Sequence, residues 1–428
     1  MNAPRLAIID GVRTPFTRMG TDFAALGADE LGRLATQALL ARTGLDPALL
    51  DEVIFGCVGQ PAEAANLGRV IALRAGIPEH VPAITVHRNC ASGLEALTQA
   101  HEKMCAGRGE IFLVGGAESM SRYPLQYPER AAAKFTQLAR ARTAGQRLAS
   151  LLRFRPADLF QPRVTLSLGL TDPVCGMNMG ETAELLAREF EITRAMQDAF
   201  AVESHARALA ARDRLAGEIC PVYPPLTREV VRQDNGPRPD STPEALARLR
   251  PVFDKRHGTV TAGNSSQITD GAVALLVMTE ARASQLGLEP LGFLTGYAYA
   301  GCDPRRMGLG PVHAMAKAEE RLGLGLDAAD LIEINEAFAA QVLACLKAAR
   351  SEDFARQHLR RDRPLGKIEK ERLNVNGGAI ALGHPVGATG ARLILTSLKE
   401  LARRRQKRAL VSLCVGGGQG AALWLERP

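Results

Sequence analysis

Four segments of the chain set a reactive or polar side chain among small residues. In VPAITVHRNCASGLEAL a β-branched strand runs into an Arg-Asn-Cys turn at Cys90, and ASGLEAL opens a helix. A sulfur at or near a helix N-terminus meets free N–H groups and the positive end of the helix dipole, which favour thiolate over thiol. Ala91, Ser92 and Gly93 leave room for a substrate carbonyl, and the Cys90 N–H points where an oxyanion could form. A buried, inert cysteine is the competing reading of this segment taken alone.

In NVNGGAIALGHPVGATGARLI, His384 lies between Gly383 and Pro385, with Gly387 and Gly390 relieving crowding before the next helix. Glycines on both sides suggest backbone pressed against a ligand. The segment is not a dinucleotide or phosphate loop: the Rossmann spacing, a following Lys-Ser/Thr and an acid about 20 residues on are all missing. A lone histidine is ordinarily structural, and His384 gains interest because a thiol elsewhere needs a base. In ALVSLCVGGGQGAAL a buried strand delivers Cys414 into Gly416 to Gly418, which either free N–H groups as oxyanion donors or make a tight strand-to-strand turn. In IEINEAFAAQVL, Asn335 either caps a helix or orients a water or carbonyl with its amide. Two thiols, an imidazole and an amide in glycine-rich surroundings fit acyl transfer through a thioester, in which a thiolate attacks, a base activates it and another group moves a carbon-bound proton. That chemistry requires no metal and no redox cofactor.

The elements that must position these groups follow from periodicity. Short apolar runs (LAIID, DEVIFGCV, VPAITV, EIFLVGG) alternate with amphipathic stretches, and the same grammar returns after Pro290, which predicts an α/β fold with largely parallel, buried strands. The halves look related. Cys90 and His384 hold equivalent places, and VGGAES from Val114 mirrors VGGGQG from Val415. The expected division is a first core domain of residues 1–122 and 255–289, an inserted loop-rich domain of 123–254 that shapes substrate access, and a second core domain of 290–428. Residues 130–157 of the insert carry seven Arg/Lys and no acid, with leucines and phenylalanines available for an apolar side. They read as a solvated helix pair, with contact to a membrane surface or a partner as the alternative.

Of 428 residues, 46% are apolar, with 53 basic against 46 acidic side chains, which excludes a disordered or collagen-like chain. The longest apolar stretches, such as Ala272 to Met278, fall far short of the roughly 20 residues a membrane span needs. The opening MNAPRLAIID has no secretory or transit character, so the mature chain is expected to begin near Met1. Eight cysteines without a CxxC pair or metal spacing point to a reducing cytoplasm. A formal charge of +7 is slight for this length and suits a polyanionic small molecule; aromatics at 4% argue against nucleic acid.

VHRNCASG, TAGNSSQITDGA, INEAFA, GGAIALGHPVGATGAR and CVGGGQG, together with the opening AIIDGVRTPF, resemble the thiolases in order and spacing over essentially the whole chain. The resemblance implies a five-layered α-β-α-β-α sandwich of two duplicated core domains with an inserted loop domain. It implies an acyl-CoA C-acyltransferase, a 3-ketoacyl-CoA thiolase of β-oxidation, with coenzyme A as co-substrate. By the same resemblance Cys90 takes the acyl group, His384 activates it, and Cys414 exchanges the α-proton of acetyl-CoA. Asn335 holds a water that with His384 forms one oxyanion hole, and the N–H groups of Cys90 and Gly416 form the other. Ser266, Met179, Ala262, Phe253 and Phe338 are the expected substrate-binding residues. Asn178 stands where many members carry a His before Met-Gly, a departure from the short-chain biosynthetic pattern, and NEAF replaces the HEAF of mitochondrial members. The basic insert is similar to the thiolase subunit of the fatty-acid β-oxidation trifunctional complex, which implies a hydratase/dehydrogenase chain as partner and a homodimer or tetramer. Synthesis of acetoacetyl-CoA and non-catalytic acyl-CoA or lipid binding on the same fold are the alternatives.

Overall fold

The computed structural model describes residues 4–225 and 229–428; residues 1–3 and 226–228, at the start of the expected first core domain and within the expected insert, lie outside the described residues. In the first half, Glu52–Gly56 runs parallel to both Ala83–Val86 and Ile111–Ser119, and the latter pairs antiparallel with Thr269–Thr279, itself antiparallel to Leu6–Arg13. The second half repeats the scheme with one strand fewer, the place of Ala83–Val86 being taken by an isolated parallel bridge between Ile332 and Leu373. Leu331–Ile334 is parallel to Arg408–Val415, which pairs antiparallel with Gln419–Glu426, itself antiparallel to Gly292–Gly301. The two arrays meet where Ala7 faces Phe293 and Ile8 faces Gly292.

The duplication read from sequence is therefore present, but the strands are mixed rather than largely parallel. The reason is connectivity: parallel neighbours need a helical crossover, whereas residues 416–418 join two strands by a hairpin and Thr269–Thr279 returns from the insert. Strand direction leaves no trace in apolar runs buried on both faces, and both Ile111–Ser119 and Thr269–Thr279 are buried throughout.

Three apolar clusters fill the spaces between five layers, the central one lying on both sides of the middle helices. One lies under the outer helix Ala28–Thr43, one under the outer helices Gly310–Leu322 and Ala339–Ala349, and one between the sheets around Ser92–Cys105 and Val386–Arg404. The two central helices touch backbone to backbone. A Cβ on Gly93 would come within 2.7 Å of Ala391 N, and one on Gly390 within 2.6 Å of Leu94 N.

Residues 123–254 are richer in helix than expected, because side-chain caps start helices within the polar stretches: Thr143 at Ala144–Leu151, Asn178 at Met179–Glu189 and Thr193 at Arg194–Ala210. Within 130–157 the structure forms the helix pair Glu129–Arg140 and Ala144–Leu151. Ala131 is its buried residue, and Leu148, Leu151 and Leu152 are exposed. No helix among the described residues is long and apolar enough to cross a membrane.

Candidate active site

The strand Ala83–Val86 ends at a turn in which Asn89 takes a left-handed conformation (φ 42°), and the helix Ser92–Cys105 begins two residues beyond Cys90. Ser92 Oγ closes this turn, accepting from Arg88 N at 2.9 Å and donating to Asn89 O at 2.7 Å. Cys90 is half-buried and borders a cavity of about 390 Å³. Gly416 and Gly417, Met179, Val58, Tyr123, Val386 and a run of insert residues from Leu166 to Val174 complete much of its wall.

Across the cavity, the strands Arg408–Val415 and Gln419–Glu426 are joined by Gly416 to Gly418, of which Gly417 (φ 89°) and Gly418 (φ 78°) need the freedom of glycine. This is the tight strand-to-strand turn, and it is also part of the site. Asn89 Nδ2 donates to Gly416 O at 2.7 Å, which fixes the plane of the Gly416–Gly417 peptide. The backbone N–H groups of Gly416 and of Cys90 lie close enough to the Cys90 sulfur to favour its thiolate form.

The thiol itself rests differently from the expectation of a thiolate. Burial raises the Cys90 pKa more than those two N–H groups lower it, with the buried Glu118 charge pushing the same way as burial. Cys90 is a resting thiol that needs a base. Cys414 is fully buried, and burial first, then the nearby Cys90, hold its pKa well above the ordinary value. It is a protonated sulfur beside the first.

His384, 7% exposed, is pushed down to about 3 by burial and by the charge of Arg392, so the imidazole is neutral. Its Nδ1 lies 2.7 Å from Thr389 Oγ1, and that hydroxyl donates its one proton to Pro385 O at 3.1 Å. Thr389 thus offers Nδ1 only lone pairs, placing the ring proton on Nδ1 and the basic lone pair on Nε2. Asn335 Nδ2, a donor, faces Nε2 at a long 3.5 Å, consistent with that tautomer. Asn335 does not cap the helix Ala339–Ala349; its N–H donates to Ser412 O. Its side chain is buried, and Oδ1 has no protein partner among the described residues, which leaves the amide free to hold a water or a substrate carbonyl.

The remaining expected residues divide. Met179 Sδ would meet a Cβ at Gly416 at 3.4 Å, and the Phe253 ring lies against Gly180, where a Cβ would come within 2.1 Å. Phe253 packs edge-on to Phe338 with centroids 6.1 Å apart, and Cys414, Phe338, Met179 and Phe253 share one apolar cluster. Ser266 is tied to this wall by its N–H to Ala337 O at 2.9 Å. Of these residues only Met179 borders the cavity described above; Ser266, Phe253, Phe338 and the exposed Ala262 do not. Asn178, standing where a His is common in the family, accepts from Gly180 N at 3.0 Å and caps the Met179 helix. Sequence reasoning missed Asn89, Thr389 and the Leu166 to Val174 wall. A hydroxyl five residues past His384 was the available signal for Thr389.

Among the described residues no group of His, Cys, Asp and Glu is arranged to hold a metal ion. The arrangement offers a thiol, a neutral base, a second thiol as proton donor and two convergent N–H groups, a set suited to making and breaking a thioester.

Residues 6–281 match the thiolase N-terminal domain family model and residues 288–427 match the thiolase C-terminal domain. The chain is 43% identical over 425 residues to a 3-ketoacyl-CoA thiolase of Pectobacterium carotovorum, covering 99% of this chain and 96% of that one. Identity to a 3-ketoacyl-CoA thiolase of Serratia proteamaculans is 42%, covering 99% and 97%. Among solved structures, an acetyl-CoA acetyltransferase of Bacillus anthracis superposes with TM-score 0.87 at 37% identity, covering 100% and 99% of the two chains. A human mitochondrial 3-ketoacyl-CoA thiolase in complex with CoA gives 0.84 at 34%, covering 100% and 98%. The chain belongs to the thiolase family.

Proposed function

We propose that this protein is a 3-ketoacyl-CoA thiolase that cleaves 3-ketoacyl-CoA with coenzyme A into acetyl-CoA and an acyl-CoA two carbons shorter, in the degradation of fatty acids. The observation that carries the reading is the seating of Cys90 at a largely apolar-walled cavity with the N–H groups of Cys90 and Gly416 close to its sulfur. His384 Nε2 accepts the Cys90 proton, and the thiolate attacks the 3-keto carbonyl, whose oxygen takes the negative charge. Collapse of that adduct breaks the Cα–Cβ bond and leaves acyl-Cys90. The departing acetyl-CoA enolate receives a proton from the Cys414 thiol, while Nε2–H of the imidazolium and a water on Asn335 stabilise its oxygen. Coenzyme A then gives its thiol proton to the Cys414 thiolate and attacks the thioester, with the N–H groups of Cys90 and Gly416 holding the oxyanion, and the released Cys90 thiolate takes its proton back from the His384 imidazolium. One such donor is worth about 10²–10³ in rate.

The apolar wall contributed by Leu166, Leu168, Leu170 and Val174 supports substrates with a hydrocarbon tail over acetoacetyl-CoA. Likeness to an acetyl-CoA acetyltransferase keeps the condensation of two acetyl-CoA as the second reading, run by the same residues. A cytoplasmic homo-oligomer, with a hydratase/dehydrogenase chain as partner, completes the proposal. The seven cations and the uncovered leucines of 130–157 favour an anionic surface as a further contact.

One experiment tests the function: mass spectrometry after incubation with 3-ketoacyl-CoA, followed by thiolysis rates over a chain-length series. The expected result is one acyl mass on Cys90, lost in Cys90→Ala together with turnover, and a preference for six carbons or more. Near-normal thiolysis by Cys90→Ala overturns the nucleophile. A preference for four carbons selects the condensing reading.

A further inference from the structure

Glu118 ends the strand Ile111–Ser119 and is fully buried, yet no lysine or arginine among the described residues pairs with it. Its partners are donors from three separate parts of the chain. Oε1 accepts from Gly59 N at 2.8 Å and from the Tyr123 hydroxyl at 2.9 Å. Oε2 accepts from Val58 N at 3.0 Å and from Gly387 N at 2.9 Å. The Cys57 thiol lies 3.8 Å from Oε1. Both oxygens are thus doubly engaged by N–H or O–H donors, an arrangement made for the ionised, acceptor-only carboxylate. These donors hold down a pKa that burial alone would raise further.

The anchored segments are not arbitrary. Val58 and Tyr123 line the cavity beside Cys90, and the Tyr123 ring packs flat enough on Gly59 that a Cβ there would lie 2.0 Å from it. Gly387 is the second residue of the helix Val386–Arg404, three residues beyond His384, and Val386 also borders the cavity. One carboxylate therefore ties two walls of the substrate cavity to the turn that carries the base.

We propose that Glu118 is a positioning residue of the thiolase reaction: it holds the Val58 and Tyr123 walls and the His384 turn as one unit, so that the base stays in line with Cys90 when the acyl chain is seated. This rests on the function proposed above. Glu118→Gln is nearly isosteric, but one oxygen becomes an NH₂ group that faces two donors, either those of Gly59 and Tyr123 or those of Val58 and Gly387. A displacement on the scale of 1 Å at a reacting group costs about 10²-fold in rate.

The test is steady-state thiolysis over a chain-length series, with the rate of Cys90 acylation followed by mass spectrometry and folding followed by thermal unfolding. Glu118→Gln is expected to lower kcat and the acylation rate about 10²-fold at every chain length. Tyr123→Phe keeps the ring and three of the four bonds; it is expected to raise KM several-fold for long acyl chains, with a smaller effect on kcat. A folded Glu118→Gln protein with wild-type kcat and acylation rate overturns the inference. If that variant does not fold, Tyr123→Phe decides: KM unchanged across chain lengths overturns the inference, and the chain-length-dependent rise supports it. Failure of the wild-type protein to thiolyse any 3-ketoacyl-CoA overturns instead the function on which it rests.

Discussion

Replacing Thr389 by valine tests how the base is prepared. The exchange keeps the branched shape and removes the hydroxyl that lies 2.7 Å from His384 Nδ1 and donates to Pro385 O at 3.1 Å. Thr389 is fully buried, so no water replaces the lost acceptor readily, and an unpaired Nδ1–H costs about 1–3 kcal/mol. The ring escapes that cost by moving its proton to Nε2, where Asn335 Nδ2 is already a donor and the base is lost. At about 1.4 kcal/mol per factor of ten, a bias of this size shrinks the productive tautomer roughly 5- to 140-fold, at or under the low end of the 10²–10⁴ typical of removing a general base outright. The assay is single-turnover acylation of Cys90, read by mass spectrometry, with thermal unfolding as the control for folding. Thr389→Ser, which keeps the hydroxyl, is expected to stay within a few-fold of wild type. A folded Thr389→Val protein that acylates Cys90 at the wild-type rate refutes the tautomer argument.

Cys414→Ala is expected to leave Cys90 able to take an acyl group from acyl-CoA while turnover falls about 10²–10⁴-fold, because the proton donor to the departing enolate is gone; unimpaired turnover rejects that role. Acid should weaken the fold through His205. Burial first, then the charge of Arg238, lower its pKa from 6.5 to about 4, and neutral Nδ1 accepts from Arg238 N at 3.1 Å. The folded state thus binds fewer protons than the unfolded chain between these values. The stabilisation is complete above pH 6.5 and is lost as pH falls toward 4, at up to about 1.4 kcal/mol per unit. In urea titrations from pH 7 to pH 4.5, the stability advantage of wild type over His205→Asn should therefore shrink; an advantage that does not change with pH contradicts the assignment.

Much of this site was legible because its reactive groups sit in local contexts that betray them. Cys90, His384 and Cys414 each follow or precede small residues in unbroken motifs, and the duplicated strand grammar survives in composition. What escaped depends on partners far away in sequence. Asn89 earns its role from a carbonyl 327 residues distant, and Glu118 from an N–H 269 residues distant. The charge state of Cys90 escaped for another reason. Helix-terminus reasoning weighs local dipoles, whereas the largest influence on this thiol is desolvation by surroundings assembled from both halves. The caps at Asn178 and Thr193 were readable, yet the Pro- and Gly-rich stretches around them favoured a loop reading of a helix-rich insert. For Asn178 the cap also explains how the chain departs from the usual His: its side chain accepts from Gly180 N and accordingly orders the start of the helix Met179–Glu189 rather than supplying an imidazole.

Duplication and chemistry meet at one contact. In the first half the strand Ala83–Val86 leads through a turn into the central helix Ser92–Cys105; in the second the short helix Ala379–Leu382, not the expected strand, precedes Val386–Arg404, yet the reactive side chain stands just before the central helix in both cases. The two helices come into contact only if their first turns pack without side chains between them. Gly93 and Gly390 meet that condition, since a Cβ on Gly93 would collide with Ala391 N and one on Gly390 with Leu94 N. With the backbones in contact, the Glu118 carboxylate can reach Gly387 N and the Asn89 amide can reach Gly416 O. The glycines of GHPVGATG thus answer to helix packing as much as to a bound ligand.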